Sequence, residues 1–168
     1  MNVPATDAVA RAWEVLQAVP DPEVPAISVC ELGIVREIRS LDGALEVVLT
    51  PTYSGCPATE VIERSVVDAI GRAGLGSARI VMRRAPAWTS DWISAEGRRK
   101  LREYGIAPPG PAAAADDGDV FAPVALPLAC PRCGSRRTER LSAFGSTACK
   151  ALHRCLACLE PFEHFKPI

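Results

Sequence analysis

Apolar positions change their spacing several times along this chain, and each change marks an expected element. Val9, Ala12, Trp13 and Leu16 recur at helical spacing, and Thr6 is placed to cap the helix they define. Pro20, Pro22 and Pro25 end that helix and predict an extended loop, Asp21-Pro22-Glu23-Val24-Pro25. Gly33 to Arg39 and Ala44 to Thr50 are rich in Ile and Val and read as strands, with Asp42-Gly43 as a hairpin signal between them. A second helix runs through Ala73, with Val61, Ile62, Val66, Ala69 and Ile70 on its buried face. Pro57 suits the first helical position, which places Cys56 at the N-cap. Ala78 to Arg84 reads as a third strand, and Ser94 opens an exposed helix of alternating charge. Helix, strand hairpin, helix, strand and helix predict an α+β fold, a small mixed sheet packed with helices.

The pattern then breaks. Residues 108–129, PPGPAAAADDGDVFAPVALPLA, hold five of the 15 prolines and follow neither a helical nor a strand period, which predicts a linker. Charge divides the chain at the same places. Residues 1–107 carry 12 basic and 14 acidic side chains, the linker carries only Asp116, Asp117 and Asp119, and residues 130–168 carry seven basic and three acidic. The expected organisation is a main domain over 1–107, a Pro/Ala/Asp linker over 108–129 and a small module over 130–168.

Composition narrows the classes. The 168 residues are 48% hydrophobic, so a buried core is expected. A net charge of −1 and 5% aromatics argue against nucleic acid as a partner. No apolar run approaches the roughly 20 residues that span a bilayer, and Asp7, Arg11 and Glu14 stand where a signal peptide would be apolar. The expectation is a cytoplasmic protein with no membrane partner.

Seven cysteines are unevenly spread, five of them within the last 39 residues. Cys130-Pro131-Arg132-Cys133 and Cys155-Leu156-Ala157-Cys158 are two CxxC pairs with 21 residues between them. Four soft ligands from two turns suit tetrahedral Zn²⁺ and leave no open coordination position, so a structural zinc held by Cys130, Cys133, Cys155 and Cys158 is expected. A mononuclear iron centre also fits such turns, although Leu159 follows the second pair where Gly134 follows the first. Cys149, His153 and His164 are spare donors, read as a small buried residue for Cys149 and a surface residue for His164.

Longer motifs carry a family resemblance. DPEVPAISVCELGIV and LTPTYSGCPATEVI, with the helix after them, resemble the SufT-like iron–sulfur-cluster assembly domain. APAWTSDWISAEGRRKLREYGIAPP, CPRCGS, FGSTACKALHRC and FEHFKPI resemble the PaaD (PaaJ) family of phenylacetate degradation. The resemblance covers almost the whole chain outside the linker. It implies an accessory protein encoded with the multicomponent phenylacetyl-CoA epoxidase, with that enzyme's oxygenase and reductase subunits as partners. It also implies help with their iron or iron–sulfur centres. The chain has no ExxH pair of the di-iron type, no GxGxxG and no phosphate loop.

Cys56 is the sharpest candidate in the main domain, because an N-cap thiol faces the positive end of a helix and unpaired N–H groups. Asp21 and Glu23 match the family's DPE motif, which suggests convergence on the same spot as transient ligands for iron or an iron–sulfur cluster. Cys30 lies in an apolar stretch and reads as core. Trp88, Trp92 and Tyr104 either cover the sheet or anchor a partner, beside Arg98, Arg99 and Arg102. Four classes remain open: maturation factor, stoichiometric subunit tuning the oxygenase, thiolate-metal redox carrier and nucleic-acid-binding ribbon.

Overall fold

A computed structural model describes residues 5–41, 43–111 and 128–168. Most of the expected linker, together with Asp42 of the hairpin, lies outside the described residues. Helix α1 is Ala5–Leu16, so Thr6 sits within its first turn and is not its cap. Its inner stripe buries Ala12 and Leu16 completely. Strands β1 (Val35–Leu41) and β2 (Ala44–Leu49) pair antiparallel, with an irregularity between Val35 and Glu37. Gly43 takes the positive φ of 80° that a tight hairpin requires. Helix α2 (Thr59–Arg72) then crosses to β3 (Ala78–Met82), which lies parallel to β2. The order β1-β2-β3 makes β2 central, and five of its six residues are buried. Even Glu46 is buried there, held by Arg79 and Arg39.

The inner face of α2 carries Ile62, Val66, Ala69 and Ile70, as the period predicts. Val61 is the exception: it is 48% exposed, because it stands one residue, or about 100° of helix, from Ile62. Trp88 is buried and donates its ring N–H to the Leu32 carbonyl at 3.1 Å. Trp92 lies under the Arg36 guanidinium, 3.6 Å from the ring centre, and Tyr104 is 54% exposed.

The second sheet has the order β4-β7-β6-β5. Strands β5 (Thr138–Ser142), β6 (Lys150–Cys155) and β7 (Pro161–Phe165) form an antiparallel meander. Strand β4 (Ile106–Ala107) adds to β7 in parallel. The expected boundary at 107 therefore moves. The chain divides into one compact unit of residues up to Trp88 with Trp92–Gly97, and a second of Thr89–Asp91 with Arg98–Ile168. The physical reason is burial: Ala107 packs in one apolar cluster with Cys130, Cys155 and Phe162. Helix α3 (Ala95–Tyr104) begins after Ser94, whose hydroxyl caps the N–H of Gly97 at 2.9 Å. Ser90 is fully buried, and its N–H donates to the Ile168 carbonyl at 3.0 Å.

Candidate metal centre

Two tight turns set the cysteines of the second unit. At the first, the Gly134 N–H closes on the Cys130 carbonyl at 2.9 Å, and the Arg132 N–H points at the Cys130 sulfur at 3.4 Å. At the second, the N–H groups of Ala157 and Cys158 point at the Cys155 sulfur at 3.4 and 3.5 Å. Both turns require a left-handed residue immediately after the second cysteine. Gly134 supplies it with φ 75° at no steric cost, and Leu159 supplies it with φ 66°. Leu159 is 69% exposed, so its side chain gains little packing in return. Leu159→Gly removes roughly 1–2 kcal/mol of left-handed strain against about 0.5–1 kcal/mol of added chain freedom. The expected outcome is a metal-bound chain whose thermal midpoint rises by a few degrees; a lowered midpoint would show that Leu159 packs.

All four sulfurs lie within 4.8 Å of one another, with Cys130 to Cys158 at 3.8 Å and Cys133 to Cys155 at 3.6 Å. A tetrahedral shell with Zn–S bonds of about 2.3 Å requires sulfur pairs about 3.8 Å apart, so the donor set fits zinc in chemistry and in spacing. Cys130 and Cys155 are buried while Cys133 and Cys158 reach the surface. Without a cation, four such sulfurs cannot all ionise. The N–H of Cys158, with that of Ala157, draws the Cys155 thiol down to about 6. The Glu160 N–H favours the Cys158 thiolate, but burial and the sulfurs of Cys133, Cys155 and Cys130 push it up to about 12.

The spare donors stand apart. Cys149 is buried outside this group, its sulfur 3.0 Å from the Thr147 hydroxyl. Cys149→Ser is expected to keep its full metal content by elemental analysis, and loss of metal would require another ligand set. His164 is half-buried, not a surface residue, with its ring edge-on to that of His153 at 5.5 Å between centres. Burial and the neighbouring His153 push its imidazole down to about 4. His153 stacks on Phe162 with ring centres 5.7 Å apart, and burial and Arg140 lower it too.

In the first unit the candidates are not gathered. Among the described residues, the cysteine tetrad is the one group of three or more donors close enough for a metal. Asp21 is 4% exposed, and its Oδ1 accepts the N–H groups of Glu23 at 2.9 Å and Val24 at 2.8 Å. Its carboxylate thus serves the loop's own turn. Glu23 is half-buried beside it. Cys56 is half-buried but is not the N-cap, which is Ala58. The reason is Pro57: its fixed φ equally suits the second position of a turn, here closed by the Thr59 N–H on the Cys56 carbonyl at 3.2 Å. The helical ladder begins only with the Ile62 N–H on Ala58. Burial and the nearby Glu31 push the Cys30 thiol up to about 12, although Cys30 is half-buried and stands at the margin of the core, not within it.

Two further arrangements escaped the sequence reading. Ser28 and Glu31 bond reciprocally, the Ser28 N–H to Glu31 at 2.8 Å and the Glu31 N–H to Ser28 at 3.0 Å. The Ser-x-x-Glu spacing is a readable signal for that box. Lys150 is 2% exposed and meets Glu163 at 2.9 Å across the β6–β7 pair. Glu163 also accepts the Ser146 N–H at 2.5 Å. No local motif announces that pair.

The fold and the tetrad together define an iron–sulfur-assembly-type domain joined to a zinc ribbon. Residues 10–81 match the family model described as iron-sulfur cluster assembly protein, and residues 121–166 match the PaaD zinc beta ribbon domain. The chain belongs to the PaaD family of 1,2-phenylacetyl-CoA epoxidase components. It is 42% identical over 156 residues to the putative PaaD-type epoxidase component of Escherichia coli (strain K12), covering 93% of this chain and 91% of the other. It is also 31% identical over 90 residues to the Fe-S protein maturation auxiliary factor of Porphyromonas gingivalis, covering 51% of this chain and 83% of that one. The DUF59 domain from Bacillus anthracis superposes with a TM-score of 0.54 at 20% identity, over 58% of this chain and 93% of the domain, which shows the shared fold. Among the described residues no helix is long and apolar enough to cross a membrane.

Proposed function

We propose that this chain is an accessory or maturation factor of the phenylacetyl-CoA epoxidase of aerobic phenylacetate catabolism, assisting assembly of iron or iron–sulfur centres in its partners. One observation carries the reading: a single chain joins an iron–sulfur assembly domain to the PaaD ribbon and resembles the Escherichia coli epoxidase component over 93% of its length. The likeness to an Fe-S protein maturation auxiliary factor over 90 residues points the same way. Its partners in this reading are the oxygenase and reductase subunits, in the cytoplasm.

The two units divide the work. Cys130, Cys133, Cys155 and Cys158 would hold a structural zinc, whose chemistry there is to supply folding energy with no open position. The iron is cargo, and Cys56 is the proposed thiolate that meets it, on the half-buried turn between β2 and α2. Asp21 holds its own loop in shape, and Glu23 is the carboxylate of that loop left partly open to solvent.

The test is reconstitution. Metal-loaded oxygenase and reductase should turn over fully without this chain, while oxygenase made without it should lack iron. Turnover that still requires the purified chain would instead establish a stoichiometric subunit, the role that the relative's name describes. Cys56→Ser should change stability by no more than about 0.5 kcal/mol, since Cys56 caps no helix. The same variant should lower oxygenase iron severalfold in co-expression, because a hydroxyl binds iron far more weakly than a thiolate. Equal iron at matched expression would remove Cys56 from the mechanism.

A further inference from the structure

Among the described residues, strand β5 is an edge of the second sheet, pairing with β6 on one side only, while its Thr138 hydroxyl donates to the Leu128 carbonyl at 3.0 Å. Edge strands normally hide their free N–H and C=O groups under charge or irregularity and carry little exposed apolar surface. This edge carries both charge and an irregularity, the latter between Arg140 and Ser142, and departs from that in its apolar exposure. Leu141 and Phe144 are 50% and 63% exposed, among the largest apolar exposures in the described chain. Along the same stretch of chain Arg136, Arg137 and Arg140 are exposed and make no ion pair among the described residues. By contrast, Arg154 on the next strand pairs with Glu139, and Arg99 on α3 pairs with Glu103. Lys166 Nζ also lies 4.6 Å from the centre of the Phe144 ring, and exposed leucine and phenylalanine on a stretch rich in uncompensated arginine is the composition of an interface centre, not of a solvated face.

The charge decides what fits. A second copy would bring its own arginines against these and be repelled. Nucleic acid would use the arginines but gain little from Leu141, and one exposed phenylalanine is a poor stacking platform. An extended peptide with alternating acidic and apolar residues satisfies all three features. Its backbone pairs with the edge that no described strand occupies, its carboxylates meet the arginines and its apolar side chains cover Leu141 and Phe144. We propose that the outer edge of β5, with Leu141 and Phe144 set among Arg136, Arg137 and Arg140, is the docking strip for an extended acidic segment of a partner protein. The segment adds to the sheet as a further strand. The partner is one of the other epoxidase subunits, an assignment that rests on the proposed function.

The experiment uses the full chain, metal-loaded and co-purified with the epoxidase subunits, with backbone amide exchange read on the captured complex. The wild-type chain should retain a partner subunit at low salt and lose it as salt rises, because exposed charges are screened within about 10 Å at 0.1 M. Amides of residues 136–144 should gain protection on capture. Arg136→Glu with Arg140→Glu should weaken capture by about tenfold or more, with zinc content and far-ultraviolet dichroism unchanged to show that the ribbon is folded. Leu141→Asp should do the same without altering the arginines. Equal capture by the variants, or capture with no protection on β5, would overturn the strip and leave the epoxidase reading intact. Failure of the wild-type chain to capture any epoxidase subunit would overturn that reading and this partner together. Nuclease-sensitive retention would overturn the acidic peptide in favour of nucleic acid.

Discussion

Cys133→Ser is expected to empty the ribbon of metal and unfold it, and with it residues that the sequence assigns to the other domain. Purified wild-type protein should carry about one zinc per chain, and the variant less than a tenth of that. The size of the effect follows from linkage. A four-thiolate site contributes about 10–16 kcal/mol of apparent binding free energy to folding, far above the few kcal/mol a core this thin can supply. One apolar cluster here is Ala107, Cys130, Cys155 and Phe162 with Leu128, and two of its members are the ligands themselves. The unfolding should therefore reach β4, because among the described residues Ile106 and Ala107 pair only with β7. Leu101 of α3, fully buried, should be exposed as well. Amide exchange should show protection lost over 98–107 and 128–168 and kept from α1 through β3. Metal retained at full content would refute the ligand set. Simultaneous loss of protection in both units would refute their independence, and loss confined to residues after 128 would refute the place of β4 in the ribbon.

Much of this architecture was legible because the relevant signals are local. Helical spacing marked α1 and α2, Ile/Val runs marked β1 to β3, and paired CxxC turns marked the tetrad before any coordinate. What escaped depends on contacts between distant positions. Ile106-Ala107 is two residues long, too short to show a period, and becomes a strand only because β7 offers an edge. Cys56 was misplaced by two residues because Pro57 fits a turn and a helix start equally well. Convergence of Asp21, Glu23 and Cys56 was suggested by a shared family motif, whereas the buried Asp21 carboxylate is taken up by its own loop. Leu159 was legible in part: the missing glycine was visible, but the positive φ it must still adopt belongs to the turn.

Lys150→Met alone is expected to destabilise the ribbon by about 3–5 kcal/mol, because it strands the Glu163 carboxylate beside a buried site. Lys150 is among the most enclosed side chains in the described chain, and its ammonium meets Glu163 Oε2 at 2.9 Å. The carboxylate is anchored from the other side by the Ser146 N–H at 2.5 Å. Gly145 admits this approach, since a Cβ there would fall 2.5 Å from Glu163 Oε1. The pair thus ties the 145–147 turn to β6 and β7, and the Gly145 N–H on the Lys150 carbonyl at 2.8 Å closes the same loop. The sign of the companion experiment separates two accounts of the pair. If its value is net stabilisation, Lys150→Met with Glu163→Leu should be as damaged as either single change. If the pair serves mainly to fix the turn, the double variant should recover most of the loss, since desolvation of both charges is removed together. We expect recovery to within about 1–2 kcal/mol of wild type, the remainder being the unpaired Ser146 N–H. Metal-bound protein and denaturant midpoints at constant zinc provide the measurement. A Lys150→Met variant as stable as wild type would show that Lys150 reaches water and that the buried pair does not form.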